Sequence, residues 1–276
     1  GGELVSNRGG VMVIHVLVAC SKSKAHEPPE ELVWGPDTDL GSWNRAWRET
    51  EAERYEAGNL YTGRGTRQQL EMAVEHRDAI PYLISAGAGL VKISDGIKIP
   101  PYESTFSRNG GPSPEQWHLL PHGGLTNLEL DEEDRVVVFA PPAYLRALSR
   151  DPGLDRIAGN LVAPIGSPLF PSCLFPVRIH PRIKEVLGVA AADLNTELIR
   201  IYLDDGIPGI ERLSDEAEDL SPLPERRRVD NEELLEIVKQ HHHDKTQMEL
   251  IRFIRDNLQI SASVERIGEA RKVARR

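Results

Sequence analysis

The chain has 276 residues, 39% hydrophobic and 28% charged, with a formal net charge of −10. That length suits one large domain, or a medium domain with a small one. No stretch reads as a signal peptide or transmembrane helix, and two cysteines, Cys20 and Cys173, are too few for a disulfide framework and point to a reducing cytoplasm. The net acidity argues against nonspecific nucleic-acid binding by the whole surface, but the charge is uneven. Residues 225–276 carry 12 Lys and Arg against 10 Asp and Glu, and the remainder carries 21 against 33, the pattern of a basic appendage on an acidic body.

Val11 to Ala19 is an apolar, β-branched run that predicts a strand buried on both faces of a parallel sheet. It stops at Cys20-Ser21-Lys22-Ser23-Lys24. A polar stretch from His26 to Asn59 follows, with Trp34, Trp43 and Trp47; Pro28-Pro29 and Gly35-Pro36 make its start a loop, and a helix is expected near Trp43–Ala57. Thr66 is a candidate N-cap for the next helix, which carries Leu70, Met72, Ala73 and Val74. Further strands are predicted at Tyr82–Ser85, at Arg135–Ala140 ahead of a helix opening at Pro142, and within Gly159–Gly166. A helix is expected from Lys184 to about Leu203, then a Pro- and charge-rich linker, Leu213–Arg228. Helix after strand, repeatedly, favours an α/β fold: a parallel-type sheet flanked by helices. Past the linker no strand signal remains. Helices are expected at Glu232–Gln240, Gln247–Asn257 and Val264–Arg275, with Thr246 and Ser261 or Ser263 as caps, and the break at Asn257–Ser261 matches a helix-turn-helix. The expected organisation is an α/β catalytic domain, 1–223, and a small all-α C-terminal unit, 224–276.

Ligands of open α/β sheets collect at the carboxyl ends of the strands. Cys20, Ser21, Lys22 and Lys24 bring a thiol, a hydroxyl and two ammonium groups to one such turn, a set suited to an anion such as phosphate; a solvated loop is the plain alternative. The glycine spacing of a Walker loop is absent, which excludes that route to nucleoside triphosphate hydrolysis. In LISAGAGLVKISDGIKIPPYESTF a strand ends at Ser85, and Gly87 and Gly89 remove side-chain bulk so that a flat ligand can approach the backbone. Asp95 follows. Pro100-Pro101 then stiffen the presentation of Tyr102 and Glu103, a phenol able to stack beside a carboxylate. The alternative is a Gly-rich turn with a surface glutamate. A nucleophilic Cys20 would need a histidine neighbour, a role not assigned to His15 on the same strand. His241-His242-His243 cannot all face one ion from successive helical positions, so no metal is expected, nor any other cofactor.

The ordered motifs VACSKSK, LYTGR, SAGAGLV, PPYESTF and VVFAPPAYL resemble the DUF6884/YaaA-like family, which includes the corresponding domain of archaeosine synthase and, more distantly, the YaaA peroxide-stress proteins. The match covers roughly residues 11–150 and rests on Cys20, Ser21, Lys24, Tyr61, Gly63, Ser85, Gly89, Leu90, Tyr102 and Glu103. Ala88 stands where the family usually has an aromatic residue, which opens room for a larger base, and Glu103 stands where it usually has Asp. The resemblance implies a uracil-DNA-glycosylase-like α/β fold and chemistry at an N-glycosidic bond.

The expectation is therefore a DNA glycosylase-like hydrolase that excises a modified base and leaves an abasic site. Its implied setting is defence against phages with hypermodified DNA, for example glucosylated hydroxymethylcytosine. The transition state of such a reaction is oxocarbenium-like, and Glu103 or Asp95 would stabilise it or activate water. Cys20, Ser21, Lys22, Lys24, Tyr61, Ser85, Gly87, Gly89 and Tyr102 would bind the substrate, with Lys22 or Lys24 donating to the leaving base. The partner would be duplex DNA with its target base flipped out. Arg64 and Arg67, with Trp43 or Trp47, are candidates for clamping and stacking. Arg266, Arg271, Lys272 and Arg275 of the last helix would track phosphates. Core tryptophans, solvated arginines and a packed helical hairpin are the alternatives for these residues. Two rival functions remain: a tRNA deazaguanine-modifying enzyme and a non-enzymatic DNA-binding stress protein. No membrane partner is expected, and the oligomeric state is left open.

Overall fold

In the computed structural model, residues 11–223 and 225–276 are described, and they divide into two compact units, one ending at Asp219 and one running from Leu220 to Arg276. Pro224, at the expected domain boundary, lies outside the described residues.

In chain order the larger unit contains β1 (Ile14–Ala19), α1 (Leu40–Glu49), β2 (Tyr55–Glu56), α2 (Ala57–Leu60), α3 (Arg64–Glu75), β3 (Ala79–Ser85), β4 (Gly89–Lys92), β5 (Lys98–Ile99), β6 (Arg135–Val138), α4 (Pro142–Ser149), α5 (Leu154–Ile157), β7 (Leu161–Pro164), β8 (Phe175–Val177), α6 (Ile183–Leu187) and α7 (Leu194–Glu218). Among the described residues six strands form one sheet in the order β4-β3-β1-β6-β7-β8. All neighbours are parallel except β3 and β4, which form an antiparallel edge. β1 lies at the centre, and five of its six residues are buried, as a strand covered on both faces requires. From β1 the chain first builds outward to β3 and β4, then returns to the other side of β1 for β6, β7 and β8. The reversal puts a topological switch point between β1 and β6, where consecutive connections leave the sheet in opposite directions, the place near which ligands of open α/β sheets collect.

Several local expectations change. Thr66 does not cap its helix: α3 starts two residues earlier behind Gly63, and the Thr66 hydroxyl donates to the Ala19 carbonyl at 2.9 Å, tying α3 to the end of β1. The first helix is capped by Asp39, which accepts from the Ser42 amide at 2.7 Å, and it stops at Glu49. The stretch read as a linker is helical to Glu218, because α7 carries Ile210, Ser214 and Ala217 as buried positions. It is broken at Gly206 (φ 67°, ψ −162°), two residues before Pro208. Proline lacks an amide hydrogen and crowds the preceding turn, so the break falls just ahead of it.

The smaller unit holds β9 (Arg227–Arg228), α8 (Asn231–His241), α9 (Gln247–Arg252), β10 (Ile260–Ser261) and α10 (Val264–Ala274). It is not all-α: β9 and β10 form a short parallel ladder, Arg227 opposite Ile260 and Arg228 opposite Ser261. The segment Phe253–Asn257 winds as one π-helical turn. Thr246 and Ser263 cap α9 and α10 through bonds from the Glu249 and Arg266 amides, and Asp230 caps α8. Val229, Leu234, Val238, Leu250, Ile254, Ile260 and Ile267 give this unit a core of its own.

Candidate active site

Four polar side chains converge below the carboxyl ends of β1 and β3. The Tyr102 hydroxyl lies 2.5 Å from Ser85 Oγ and 2.7 Å from the Tyr61 hydroxyl, and Cys20 Sγ lies 4.0 Å from the Tyr102 hydroxyl. Tyr61, Ser85, Tyr102 and Cys20 are all buried. A fifth group closes the set from across the switch point: the Tyr144 hydroxyl donates to the Cys20 carbonyl at 2.8 Å and lies 3.4 Å from its sulfur. Burial pushes the Tyr61, Tyr102 and Tyr144 phenols up, with the Cys20 thiol adding to the effect, so all three are neutral donors at physiological pH.

The turn after β3 is saturated. Trp117 Nε1 donates to the Ser85 carbonyl at 3.0 Å, Ser104 Oγ to that of Ala86 at 2.8 Å and Trp43 Nε1 to that of Gly87 at 2.8 Å. The Gly87 and Ala88 amides donate to Ser85 Oγ. The bare glycines therefore serve the protein's own packing, not a flat ligand. A Cβ on Gly87 would sit 2.5 Å from the Tyr102 ring, and Gly89 (φ +100°) approaches the Gly123 carbonyl so closely that a Cβ would meet it at 2.2 Å. Tyr102 is likewise no stacking platform. Trp43 and Trp47 pack near its ring, and Lys24 Nζ lies 4.2 Å from the ring centroid. Trp43 and Trp47 are themselves buried core residues, which removes them as base-flipping wedges.

Lys22, Lys24 and Glu103 reach the surface above this floor. Together with Tyr102, His26 and Glu27 they line a cleft of about 170 Å³. Glu103 lies 3.7 Å from Lys22 across the mouth, and both side chains are exposed. The Glu103 main chain is pinned: its amide donates to the Leu32 carbonyl and its carbonyl accepts from the Trp34 amide, both at 2.8 Å. Ser21 Oγ accepts from the Gly63 amide at 3.2 Å and donates to the Ser23 carbonyl at 3.1 Å, which shapes the loop. Lys24 is half-buried, and desolvation holds its amine below the usual lysine range despite the opposing influence of Cys20 and Glu103. Phe106 packs edge-on against Tyr144, ring centroids 4.8 Å apart, both half-buried.

Asp95 does not belong to this site. Pairing in the β3–β4 hairpin places Ser85 opposite Gly89 and Tyr82 opposite Lys92. At about 3.3 Å per residue, Lys92 is about 10 Å down the sheet from Ser85, and Asp95 pairs with Lys92 at 3.5 Å beyond it. The arginines expected to clamp DNA stay exposed at their side chains and make surface ion pairs. Arg64 pairs with Asp193 at 2.5 Å and Arg67 with Glu71 at 4.0 Å. In the smaller unit Arg266 bonds Asn231 Oδ1 and the Val229 carbonyl, and buried Arg271 bonds Gln247 and the Lys245 carbonyl, so both hold that unit together. Lys272 and Arg275 are exposed, Lys272 in an ion pair with Glu269 at 2.7 Å. Among the described residues no cluster of His, Cys, Asp and Glu could hold a metal, and no helix is long and apolar enough to cross a membrane.

Tyr144 and Phe106 went unselected in the sequence. The usable signal for Tyr144 was its place in PPAYL, immediately past a strand end that the fold sets beside the end of β1. Comparison with protein-family models, curated proteins and solved structures gives no match.

Proposed function

We propose that the chain is a DNA glycosylase-like hydrolase of uracil-DNA-glycosylase-like fold that releases a modified base from DNA, with the cleft lined by Lys22, Lys24 and Glu103 past the end of β1 as its active site and the C-terminal helical unit as a DNA holder. The observation that carries this reading is Glu103, a solvent-reachable carboxylate on a pinned backbone beside two lysines. A fixed anion at a cleft mouth suits a sugar that becomes positively charged as its base departs. The phenols below, whose hydroxyls bond one another, Ser85 and the Cys20 carbonyl, would hold the floor rigid beneath a bound base. Among the described residues of the smaller unit, exposed cations that would meet phosphates include Arg228, Arg252, Lys272, Arg275 and Arg276.

The test is incubation of the full-length chain with duplexes carrying glucosylated hydroxymethylcytosine or other hypermodified bases, followed by alkali. Strand cleavage confined to the modified position supports the reading. Intact strands across the panel, together with group transfer to a tRNA base, would replace it with a tRNA-modifying function.

A further inference from the structure

Two lysines face one cleft in different surroundings. Lys22 is 73% exposed at its side chain and pairs with Glu103. Lys24 is half-buried. Its Nζ donates to the Lys22 carbonyl at 3.1 Å and rests over the Tyr102 ring, with the Tyr61 ring 5.5 Å away. Among the described residues no carboxylate forms an ion pair with it, and Glu103 acts on it only at longer range. Its main chain is fixed by a bridge to Tyr61, and the flanking Ala25 amide is bonded to the Leu60 carbonyl. A desolvated lysine on a rigid backbone, opening into a cleft, is the arrangement that makes an amine a carbonyl nucleophile.

We infer that Lys24 is a covalent nucleophile toward the aldehyde of an abasic deoxyribose, so that the same site cuts the strand after the base has gone. The inference rests on the glycosylase reading for its substrate class. The Lys24 amine adds to aldehyde carbon C1′ of the ring-opened sugar, and water leaves to give an imine. Glu103, across the cleft mouth, takes a proton from C2′. The electron pair of that C–H bond forms the C2′–C3′ double bond, and the C3′–O bond breaks with the 3′ phosphate as leaving group. Water then hydrolyses the imine and returns the free amine. No oxidant, reductant or metal enters the balance. Lys22, exposed to water and tied to Glu103, does not substitute.

The full-length chain is mixed with a duplex carrying one preformed abasic site, and borohydride is added to reduce any imine to a stable secondary amine. The expected result is a protein–DNA cross-link, with tryptic mass mapping placing the sugar remnant on Lys24. Without borohydride, the strand is nicked on the 3′ side of the site. Lys24→Ala and Lys24→Arg should each lower cross-linking at least tenfold, whereas Lys98→Ala, at the exposed position of β5, keeps it. Lys24→Arg preserves the charge over Tyr102, and its melting temperature, read beside that of the unsubstituted chain, separates lost chemistry from lost folding. A cross-link that persists in both Lys24 variants, a remnant mapped elsewhere, or no cross-link with the unsubstituted chain would overturn the inference. Because the probe has already lost its base, these results are independent of base excision. Excision without trapping would leave the glycosylase reading standing, and trapping without excision would remove that reading while keeping the lysine chemistry.

Discussion

Glu103 is bonded through its main chain on both sides, so its carboxylate can be neutralised without moving its position. Glu103→Gln keeps the shape and removes the charge. Base release under single-turnover conditions should fall by roughly two to four orders of magnitude, the scale of a positioned acid–base group, while DNA affinity holds or rises. Asp95→Asn, at the other end of the β3–β4 hairpin, should leave the rate unchanged, and a comparable loss there would move the chemistry away from the cleft. Gly87 tests the packing of the site floor. Gly87→Ala drives a methyl into the Tyr102 ring and within 3.1 Å of Trp43, an overpacking that should cost about 1–3 kcal/mol. Gly35, where an added methyl would meet nothing within 4 Å, is the control, and Gly35→Ala should shift stability by less than about 0.5 kcal/mol. Denaturant midpoints at unchanged slope read both.

At the scale of elements, β1 and β6 are braced at the end opposite the cleft. His15 Nε2 lies 3.0 Å from Asp134 Oδ2, His15 Nδ1 lies 3.2 Å from the Tyr82 hydroxyl, and Asp134 also accepts from the Val13 and Asp131 amides. Burial pushes the Asp134 carboxyl up, but the bonds from His15 and from the two amides outweigh it, and the net effect holds it below its usual value of 3.8. A folded value below the unfolded one means that the carboxylate stabilises the fold above about pH 4, and that this contribution is lost as pH falls through the lowered value. Asp134→Asn should therefore be less stable than the unsubstituted chain at pH 6, with the gap narrowing as pH falls below about 4. A gap that stays constant across that range would show that the ionised form contributes nothing. The same brace explains why His15 is no partner for Cys20: the two belong to opposite ends of one strand, and Cys20 is met instead by tyrosines.

For the whole molecule, separate cores in the two units predict that each folds alone. A chain ending at Asp219 should keep a cooperative thermal transition and release of modified bases from short substrates. It should lose DNA affinity, and its binding should depend less steeply on salt between about 50 and 200 mM, because fewer phosphates are neutralised. An aggregated or molten truncation would make the second unit part of the first unit's stability. Unchanged affinity and salt slope would remove the smaller unit as the DNA holder. With Arg266 and Arg271 committed to internal bonds, Arg275→Ala should carry more of the affinity loss than Arg266→Ala, whose effect should fall on the stability of its own unit.

The sequence by itself determined what depends on short-range chemistry. The β-branched run Val11–Ala19 reads as a buried strand, which the fold begins at Ile14 behind exposed Val11 and Met12; the alternation of strand and helix favours a mainly parallel sheet; and Thr246 caps its helix, as Ser263 rather than Ser261 caps the last, through bonds that span three residues. It also singled out Cys20, Tyr61, Ser85 and Tyr102, which the fold brings together. Only the tertiary structure decided what those residues do. Thr66 has the right side chain for a cap, but the end of β1 offers its hydroxyl a carbonyl. Gly87 and Gly89 are bare because Tyr102 and Gly123 occupy the space, a demand set by residues 15 and 34 positions further along the chain. Asp95 and Glu103 are eight positions apart in the sequence, yet strand register puts one beside Lys92 and the other at the cleft. Tyr144 joins the site only because β6 lies against β1, and the pairing of strands separated by more than a hundred residues leaves no local signal in the chain.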